Sequence, residues 1–405
     1  RLQLVADQLI GDDSQEAAAM GFLTLGRRFL NNSHDIIDDR IDVTTRGLMG
    51  LTVTCARCHD HKYDPIPIED YYSLYGVFAS SREAKDGPSP LSLVDAEHPV
   101  EPVVFLRGQP GRRGAAVPRQ FLGMLAGAAR QPFQRGSGRL EMADAIASND
   151  NPLTARVFVN RVWGKLFGSY LVDTPSDFGT RSPAPVLAGL LDDLTVDFIQ
   201  HGWSLKWLVR ELVLSATYRS ASETGDAEGD VENRYYARMN RRRLDFEAMR
   251  DAMLLVSGQL QHQTIGGASV EITGLDSQPR RSLYGTIDRQ NFPALFRAFD
   301  VASPDTHAPK RFETTVPQQA LYLMNSPFAV ACAQRLAQDV MSESEDRVAR
   351  VLLLYRSILA RDPDDAERQL ALEFVRATTA RMDAVQAWRQ LSQVLLVSNE
   401  FFFLD

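Results

Sequence analysis

The chain lacks the patterns that identify several common classes of protein. It has only three cysteines in 405 residues, which excludes a framework of structural disulfides. Its 44 basic residues are outnumbered by 52 acidic ones, and the net charge of −8 argues against nucleic acid or an anionic membrane surface as a partner. No apolar run approaches the roughly 18 residues of a membrane span, so no transmembrane segment is predicted.

Signatures of hydrolases and phosphate-binding enzymes are missing too. There is no Gly-x-Ser-x-Gly elbow, no His-Glu-x-x-His and no Gly-x-x-x-x-Gly-Lys loop. The acidic residues are too numerous for one pair to be singled out as a glycosidase pair. The sequence is therefore that of a globular protein without a recognisable hydrolytic site, and its length predicts two or three domains.

Two of the three cysteines lie in one motif, Cys55-Ala56-Arg57-Cys58-His59. The pattern Cys-x-x-Cys-His is the attachment site of c-type haem. Two thiols three residues apart can lie on one face of a helical turn and form thioethers with one porphyrin, and the next histidine can bind the iron. The motif predicts covalent haem c on Cys55 and Cys58, with His59 as the proximal ligand.

The same residues allow two other interpretations. A zinc site could use Cys55, Cys58, His61 and a remote fourth ligand, although structural zinc sites usually add a second ligand pair, and none is visible. A redox dithiol belongs beside a βαβ pattern, and a disulfide across so short a loop would add little stability. Haem is the favoured interpretation, and a zinc or disulfide site stays open as the alternative.

The second axial position of the iron would decide the chemistry of the site. A methionine there raises the reduction potential and suits electron transfer, whereas an open position permits chemistry on a small molecule. The candidates for a distal ligand are His61, Met49 and Met324, with His34 and His307 as further nitrogen donors. For Met324 a place in a helical core is the simpler interpretation.

Helical periodicity predicts a mainly α fold. Helices are expected over 2–10, 14–30 and 36–49 before the motif, and over 68–78 after it. Composition then divides the chain into a haem-motif domain that resembles a helical c-type cytochrome (1–85), a connection rich in Pro, Gly and Arg (86–138), and a larger, mostly helical domain with minor β structure (139–405).

Local signals refine this outline. The run 103–106 is a candidate strand in the connection, and 280–287 is the predicted strand of the last domain. Ser204 is expected to cap a helix that runs to Thr217, and Asp364-x-x-Glu367 forms a capping box for a helix that runs to Arg381.

A second polar set lies between residues 280 and 325, among loop signals. Arginine can hold a carboxylate or sulfate bidentately, and Asp with Asn or Gln can hydrogen-bond sugar hydroxyls. The set predicts a site for an anionic polysaccharide or a haem propionate, while helix caps and ion pairs at a domain interface are the simpler explanation. Its members are Arg281, Arg289, Asp300, Arg311, Gln318 and Asn325.

Several segments carry a resemblance to a known family. The motif is followed in order by NPLTARVFVNRVWGKLFG, HGWSLKWLVRELVLSATYR, NRRRLDFEAMRDAML, TTVPQQALYLMNSPF and SNEFFFLD. This order resembles the planctomycete cytochrome C-type proteins, in which a haem-motif domain precedes a planctomycete-specific domain of unknown function. The resemblance implies an exported protein of the periplasm or cell surface, whose signal peptide and first helices are missing from this sequence.

Three hypotheses follow for function. The favoured one is a c-type haem redox protein of the cell envelope, with an electron-transfer partner, which carries electrons or catalyses a haem-dependent oxidoreduction linked to polysaccharide metabolism. The second is a surface module that binds a glycan or protein and uses haem structurally. The third is a haem-free protein with zinc or a disulfide at Cys55 and Cys58.

Overall fold

The computed structural model of the chain describes residues 1–10, 15–84, 92–127, 129–222, 229–262, 265–274 and 277–404. The fold is mainly helical, as the sequence predicts, and its strands form small antiparallel pairs. Contacts divide the chain into two compact units, Arg1–Asn240 and Arg241–Asp405. This division falls inside the segment that the sequence assigns to the last domain. Within the described ranges, no helix has the length and apolar character that crossing a membrane requires.

The first unit consists of helices around two hydrophobic cores. One core draws its buried side chains from residues 4–146, and the other from residues 155–239. The helices are α1 (Leu2–Leu9), α2 (Gly21–Thr24), α3 (Ser33–Met49), α4 (Ile68–Ala79), α5 (Gly123–Ala126), α6 (Arg139–Ile146), α7 (Thr154–Phe167), α8 (Ala188–Gln200) and α9 (Leu205–Leu214).

The first unit contains two short antiparallel strand pairs, of which β1 lies before the connection and the other three strands lie in it. β1 (Ser81–Glu83) pairs with β2 (Leu93–Asp95), and β3 (Val103–Phe105) pairs with β4 (Arg113–Ala116). β3 confirms the strand predicted at 103–106. The connection also buries Leu93, Val104 and Leu122 in the first core, so it packs as part of this unit.

The second unit surrounds one core, in which Trp388 and Cys332 are each 1% exposed. Its elements are β5 (Arg242–Arg243), α10 (Phe246–Val256), α11 (Ala294–Ala298), α12 (Pro317–Asn325), α13 (Pro327–Glu343), α14 (Arg347–Leu359), α15 (Asp365–Thr379), α16 (Ala384–Leu396), α17 (Asn399–Phe402) and β6 (Phe403–Leu404). β5 and β6 pair antiparallel.

Both predicted helix starts are confirmed. The Ser204 hydroxyl accepts a hydrogen bond from the Trp207 N–H (3.3 Å), and α9 follows it. The Asp364 carboxylate accepts from the Glu367 N–H (2.7 Å) while the Glu367 carboxylate accepts from the Asp364 N–H (2.8 Å). The two helices end at Leu214 and Thr379, slightly before the predicted ends.

The prediction of one helix over 14–30 is wrong. Residues Gln15–Met20 form a 3-10 turn that leads into the short α2, and Phe29–Asn31 form another turn in which Leu30 has φ +53°. A right-handed helix cannot continue through a residue in the left-handed region. The predicted start, Ser14, lies outside the described residues.

The predicted strand at 280–287 is also wrong. Ser282–Tyr284 form a 3-10 turn, and Arg280 and Gly285 make isolated bridges with Gln261 and Val270. The Ser282 N–H donates to the Asp251 carboxylate (2.7 Å), so it is not available for a strand ladder. A side chain of α10 thus takes the bond that a neighbouring strand would have supplied.

Candidate functional site

The motif lies on a 3-10 turn, Val53–Arg57, that closely follows α3. α3 ends at Gly50, which adopts φ +65° and so reverses the chain. The Cys55 N–H donates to the Thr52 carbonyl (3.0 Å), which closes the turn. Cys55 lies inside this turn, and Cys58 directly follows its last residue with φ −108° and ψ −27°, so the two thiols stand in and just after one short turn. Both are exposed free thiols.

His59 follows the turn with an exposed side chain. Its Nδ1 lies 2.6 Å from the Asp60 carbonyl oxygen, which can only accept a hydrogen bond. Nδ1 therefore carries the proton, and Nε2 keeps its lone pair. This is the tautomer that a histidine needs to bind a metal through Nε2, with the ring held by its other nitrogen.

α4 and β3 hold the turn in place on its buried side. Val53 and Ala56 are fully buried, which anchors the turn in the first core. The Tyr72 hydroxyl donates to the Arg57 carbonyl (2.9 Å) and contacts the Phe105 carbonyl (3.3 Å), so one side chain of α4 joins the turn to the β3–β4 hairpin. The exposed thiols therefore project from a rigid base.

The loop of that hairpin passes directly over Cys58. Gly108 has φ +70°, and a Cβ built on it would lie 2.6 Å from the Cys58 sulfur. A side chain at this position would force the Cys58 thiol to move and would require a left-handed backbone, a conformation that glycine adopts without strain.

We expect Gly108→Ala to lower the free energy of unfolding of the first unit by about 1–2 kcal/mol, because it adds a left-handed alanine and a clash. It should also change the rate at which Cys58 is alkylated. Denaturant unfolding and alkylation followed by mass spectrometry measure the two effects. Gly111→Ala in the same loop is the control, since its Cβ meets nothing within 4 Å. Equal behaviour of the two variants would contradict the close approach.

The motif residue Arg57 is positively charged and forms ion pairs with two carboxylates. Its guanidinium lies 3.0 Å from Asp35 and 3.6 Å from Asp38, both on α3. Burial raises the pKa of Asp38, although the Tyr71 hydroxyl and Arg57 favour its charged form. The ion pairs fasten the turn to α3.

His61, a candidate distal ligand, is bonded at both ring nitrogens. Its Nδ1 accepts from the Asp64 N–H (2.8 Å) and the Tyr63 N–H (3.3 Å), and its Nε2 lies 3.0 Å from the Thr52 hydroxyl. Since Nδ1 accepts, Nε2 carries the proton and donates to Thr52. The side chain is 5% exposed. To bind iron, His61 would have to give up these bonds, so its position supports a role in shaping the loop.

The other candidate ligands belong to the second unit or already contact neighbouring side chains. Met49 is fully buried, and its sulfur accepts a hydrogen bond from Asn151 (3.5 Å). Met324 belongs to the second unit and is 52% exposed, so it is not the core methionine that its helix suggested. His307 is exposed in the second unit, and His34 lies 2.6 Å from the Tyr75 hydroxyl. The identity of a distal ligand stays a prediction.

The zinc interpretation requires three or four ligands in one place. Among the residues that the structure describes, no three His, Cys, Asp or Glu side chains lie close enough together to hold a metal ion. Cys55 and Cys58 therefore lack a third protein ligand of this kind within those ranges.

The arginines of the second polar set are paired with carboxylates. The Arg311 guanidinium meets both oxygens of Glu247 at 2.6 Å, and the Arg281 Nε lies 3.5 Å from Asp251. The Glu247 hydrogen bond is the main reason that the pKa of Arg311 lies above its usual range. These pairs support the simpler explanation of the arginines as structural, and an anionic polysaccharide stays an untested prediction.

The remaining members of the set make local bonds or lie on the surface. The Asp300 carboxylate accepts from the Thr314 N–H (2.7 Å), and the Asn325 amide donates to the Leu321 carbonyl (2.9 Å). Gln318 is exposed, and Arg289 is partly buried in the loop before α11. The structure does not gather the six residues around one point through these contacts.

A cavity of about 470 Å³ lies between α10 and the loop that contains Arg281. Its lining combines apolar side chains with Asp245, Glu247, Asp251 and Arg281. Three of these four charged residues are acidic. The carboxylates belong to the N-cap and the first two turns of α10.

Sequence reasoning missed Gly108, Tyr72 and the buried Gln319 beside Gln318. Gln319 is 3% exposed, accepts from Arg243 (2.6 Å) and donates to the Ala298 carbonyl (2.8 Å). Gln319 is the third helical residue of α12, a position from which a glutamine side chain can accept from the N–H of the residue before the helix, here Val316 (3.4 Å). This position is a local signal for a structural role of Gln319. The contact of Gly108 with Cys58 spans fifty positions and has no local signal.

These observations define a mainly helical protein with an exposed Cys-x-x-Cys-His turn in its first unit. Two family models match the chain: PSCyt2, a protein of unknown function (DUF1549), over residues 1–83, and PSD1, a protein of unknown function (DUF1553), over residues 138–375. The second match covers more than half of the chain, which therefore belongs to the PSD1 family. The family expected from the sequence is confirmed. No curated protein and no solved structure matches the chain.

Proposed function

We propose that the chain is a c-type haem redox protein of the cell envelope, which carries electrons or takes part in a haem-dependent oxidoreduction. The observation that carries the proposal is the pair of exposed free thiols, Cys55 in a short turn and Cys58 directly after it, with His59 next in the chain. The name of the N-terminal family model, PSCyt2, that of a cytochrome-type domain, adds support. Bound haem would supply one-electron redox chemistry.

The donor set fits covalent haem c. The thiols of Cys55 and Cys58 are not joined in a disulfide, so both are free to form thioethers. The imidazole of His59 donates through Nδ1 to the Asp60 carbonyl, which orients the ring and makes Nε2 a better electron-pair donor. The proposal places the protein in the periplasm or at the cell surface, as the family resemblance implies, with a redox protein or small molecule as its partner.

We expect the double variant Cys55→Ala/Cys58→Ala to lose covalent haem entirely, and each single variant to keep at most one thioether. The protein is exported to a periplasm that contains cytochrome c maturation machinery. A pyridine haemochrome spectrum and a haem-stained denaturing gel then measure attachment. Cys332→Ala is the control, because Cys332 is 1% exposed and lies in the other unit.

Two outcomes would contradict the proposal. One is a double variant that stains for haem as strongly as the parent chain. The other is a parent chain that folds and is exported but carries no haem; zinc content and free thiols at Cys55 and Cys58 would then be measured, since these are the remaining interpretations.

A further inference from the structure

A cluster of aromatic side chains extends from the motif turn to α3. Tyr72 touches the turn, because its hydroxyl donates to the Arg57 carbonyl (2.9 Å). Its ring centroid lies 5.9 Å from that of Tyr75, and Phe105 packs 5.1 Å from Tyr72 and 5.4 Å from Tyr75. Tyr72 is fully buried and Tyr75 is 8% exposed. Such short separations between rings allow an electron to move through the cluster in short steps.

The hydroxyls of three neighbouring tyrosines of α4 have chemically different hydrogen-bond partners. The Tyr72 hydroxyl meets the carbonyl oxygens of Arg57 and Phe105, which cannot take up a proton. The Tyr71 hydroxyl donates to the Asp38 carboxylate (2.7 Å). The Tyr75 hydroxyl, in contrast, lies 2.6 Å from His34 Nδ1. A neutral imidazole that keeps its lone pair on Nδ1 accepts from the Tyr75 hydroxyl and can take up its proton to become an imidazolium.

The imidazole of His34 is held in place for this contact. His34 lies in the first turn of α3, and its N–H donates to the side-chain oxygen of the N-cap Asn32 (3.1 Å). Its ring is nearly parallel to that of Tyr75, with the centroids 6.0 Å apart, and meets Phe105 edge-on at 5.5 Å. The distance to the hydroxyl is within the range in which a positioned base takes up a proton directly.

We propose that Tyr75 is a redox-active tyrosine, which gives one electron to an oxidant at the motif while its hydroxyl proton moves to His34 Nδ1. This inference rests on the proposed redox function, because it takes as oxidant a group held at Cys55 and Cys58 whose one-electron reduction potential exceeds that of the phenoxyl/phenol couple, and that group is reduced by one electron in the step. The O–H bond of Tyr75 breaks, an N–H bond forms on His34, and the products are a neutral phenoxyl radical and an imidazolium. Reduction of the radical by one electron returns the proton to Tyr75.

The arrangement lowers the cost of oxidising a buried phenol. Without a base, loss of an electron would leave a positive charge on the ring, inside a cluster from which water is excluded, and such a charge is expensive. With His34 as acceptor the charge moves to a side chain that is only partly buried. Burial raises the pKa of Tyr75, so the phenol keeps its proton until it is oxidised.

The test uses the full chain without haem and a photo-oxidant placed at the motif. A thiol-reactive ruthenium polypyridyl complex is attached to Cys55 in a Cys58→Ala parent; the buried Cys332 is not expected to react. Flash oxidation of the complex to ruthenium(III) should produce a tyrosyl radical, detected by electron paramagnetic resonance and transient absorption. Tyr75→Phe should abolish it, and His34→Gln should slow its formation roughly a hundredfold, the contribution of a positioned base. Tyr63→Phe, at an exposed tyrosine, should change neither.

A parent without a radical, a radical that persists in Tyr75→Phe, or an unchanged rate in His34→Gln would each overturn the proposal. If Tyr75→Phe does not fold, ring-fluorinated tyrosine at position 75 replaces it. The radical's hyperfine pattern must then change, and an unaltered spectrum would assign the radical to another tyrosine. The ruthenium experiment uses protein without haem, so its outcome does not depend on haem attachment. The redox role of Tyr75 can therefore be refuted while haem binding is confirmed, and the reverse.

Discussion

Arg139→Met is expected to lower the free energy of unfolding of the first unit by about 3–5 kcal/mol, because it leaves a buried carboxylate without its partner. The Arg139 side chain is 0% exposed and that of Asp7 is 7% exposed. The guanidinium donates to both oxygens of Asp7 (3.0 and 2.7 Å), to Asp95 (2.8 Å) and to the Leu4 carbonyl (3.2 Å). One side chain of α6 thus joins α1 and β2.

Denaturant unfolding, read by hydrogen exchange of peptides from the first unit, measures this loss. Arg156→Met is the matched control, because Arg156 pairs with an Asp192 side chain that is 54% exposed, and such a pair contributes less than about 1 kcal/mol. Adding Asp7→Leu to Arg139→Met should restore part of the stability, since no charge then stays buried. A loss no larger than that of the control would contradict the role of Arg139.

The Arg139→Met variant should lose less stability than the parent chain as the pH falls. Burial alone would raise the pKa of Asp95, but hydrogen bonds from Ser137 and the charge of Arg139 more than offset it, so this pKa lies below its usual range. A carboxyl with a lowered folded-state pKa stabilises the fold above its unfolded-state pKa, and this contribution is lost as the pH falls through the folded-state pKa. Without Arg139, part of that acid-dependent loss should disappear.

Features that depend on neighbours in sequence could be predicted. The capping box at Asp364 and Glu367 needs only four consecutive residues, and Ser204 caps through the third residue after it, so both are readable from spacing. The Cys-x-x-Cys-His pattern is equally local. Its two cysteines and its histidine fall within five consecutive residues, in and directly after one 3-10 turn.

Features set by distant contacts could not be predicted. His61 has the spacing of a metal ligand, yet its loop is fixed by Asp64, which accepts from the Thr180 N–H (2.7 Å) across 116 positions. The run 280–287 alternates like a strand, but Asp251 takes up the Ser282 N–H. In both cases a carboxylate accepts from a backbone N–H of a segment distant in the chain, and no local pattern indicates that contact.

Arg250 of α10 donates hydrogen bonds to the loop that contains Ser277, Gln278 and Arg280 in the second unit. Its side chain is 1% exposed, and its guanidinium donates to the Gln278 carbonyl (2.6 Å), the Arg280 carbonyl (2.9 Å) and the Ser277 hydroxyl (3.0 Å). The nearest carboxylate oxygen, on Asp251, is 3.9 Å away. Burial therefore lowers the pKa of Arg250, and its charge is balanced largely by carbonyl dipoles.

Arg250→Met should lower the free energy of unfolding of the second unit by about 3 kcal/mol or more, because two partly buried carbonyl groups and the Ser277 hydroxyl lose a charged donor. The loop that carries Arg281 should also exchange its amide hydrogens faster, since these bonds hold it against α10. Hydrogen exchange by mass spectrometry gives both readouts, stability from the core helices and mobility from peptides that include Ser277 and Ser282.

Two further variants, Arg281→Met and Arg250→Lys, show whether the loop needs the charge of Arg250 or the geometry of its guanidinium. Arg281→Met removes a side chain that is 57% exposed and weakly paired, so a loss below about 1 kcal/mol is expected. Arg250→Lys keeps the charge but replaces the planar guanidinium with a single ammonium group. One ammonium group cannot donate to all of these loop acceptors at once. If Arg250→Lys were as stable as the parent, charge alone would suffice. If it resembles Arg250→Met, the geometry of the guanidinium builds the loop and the cavity beside it.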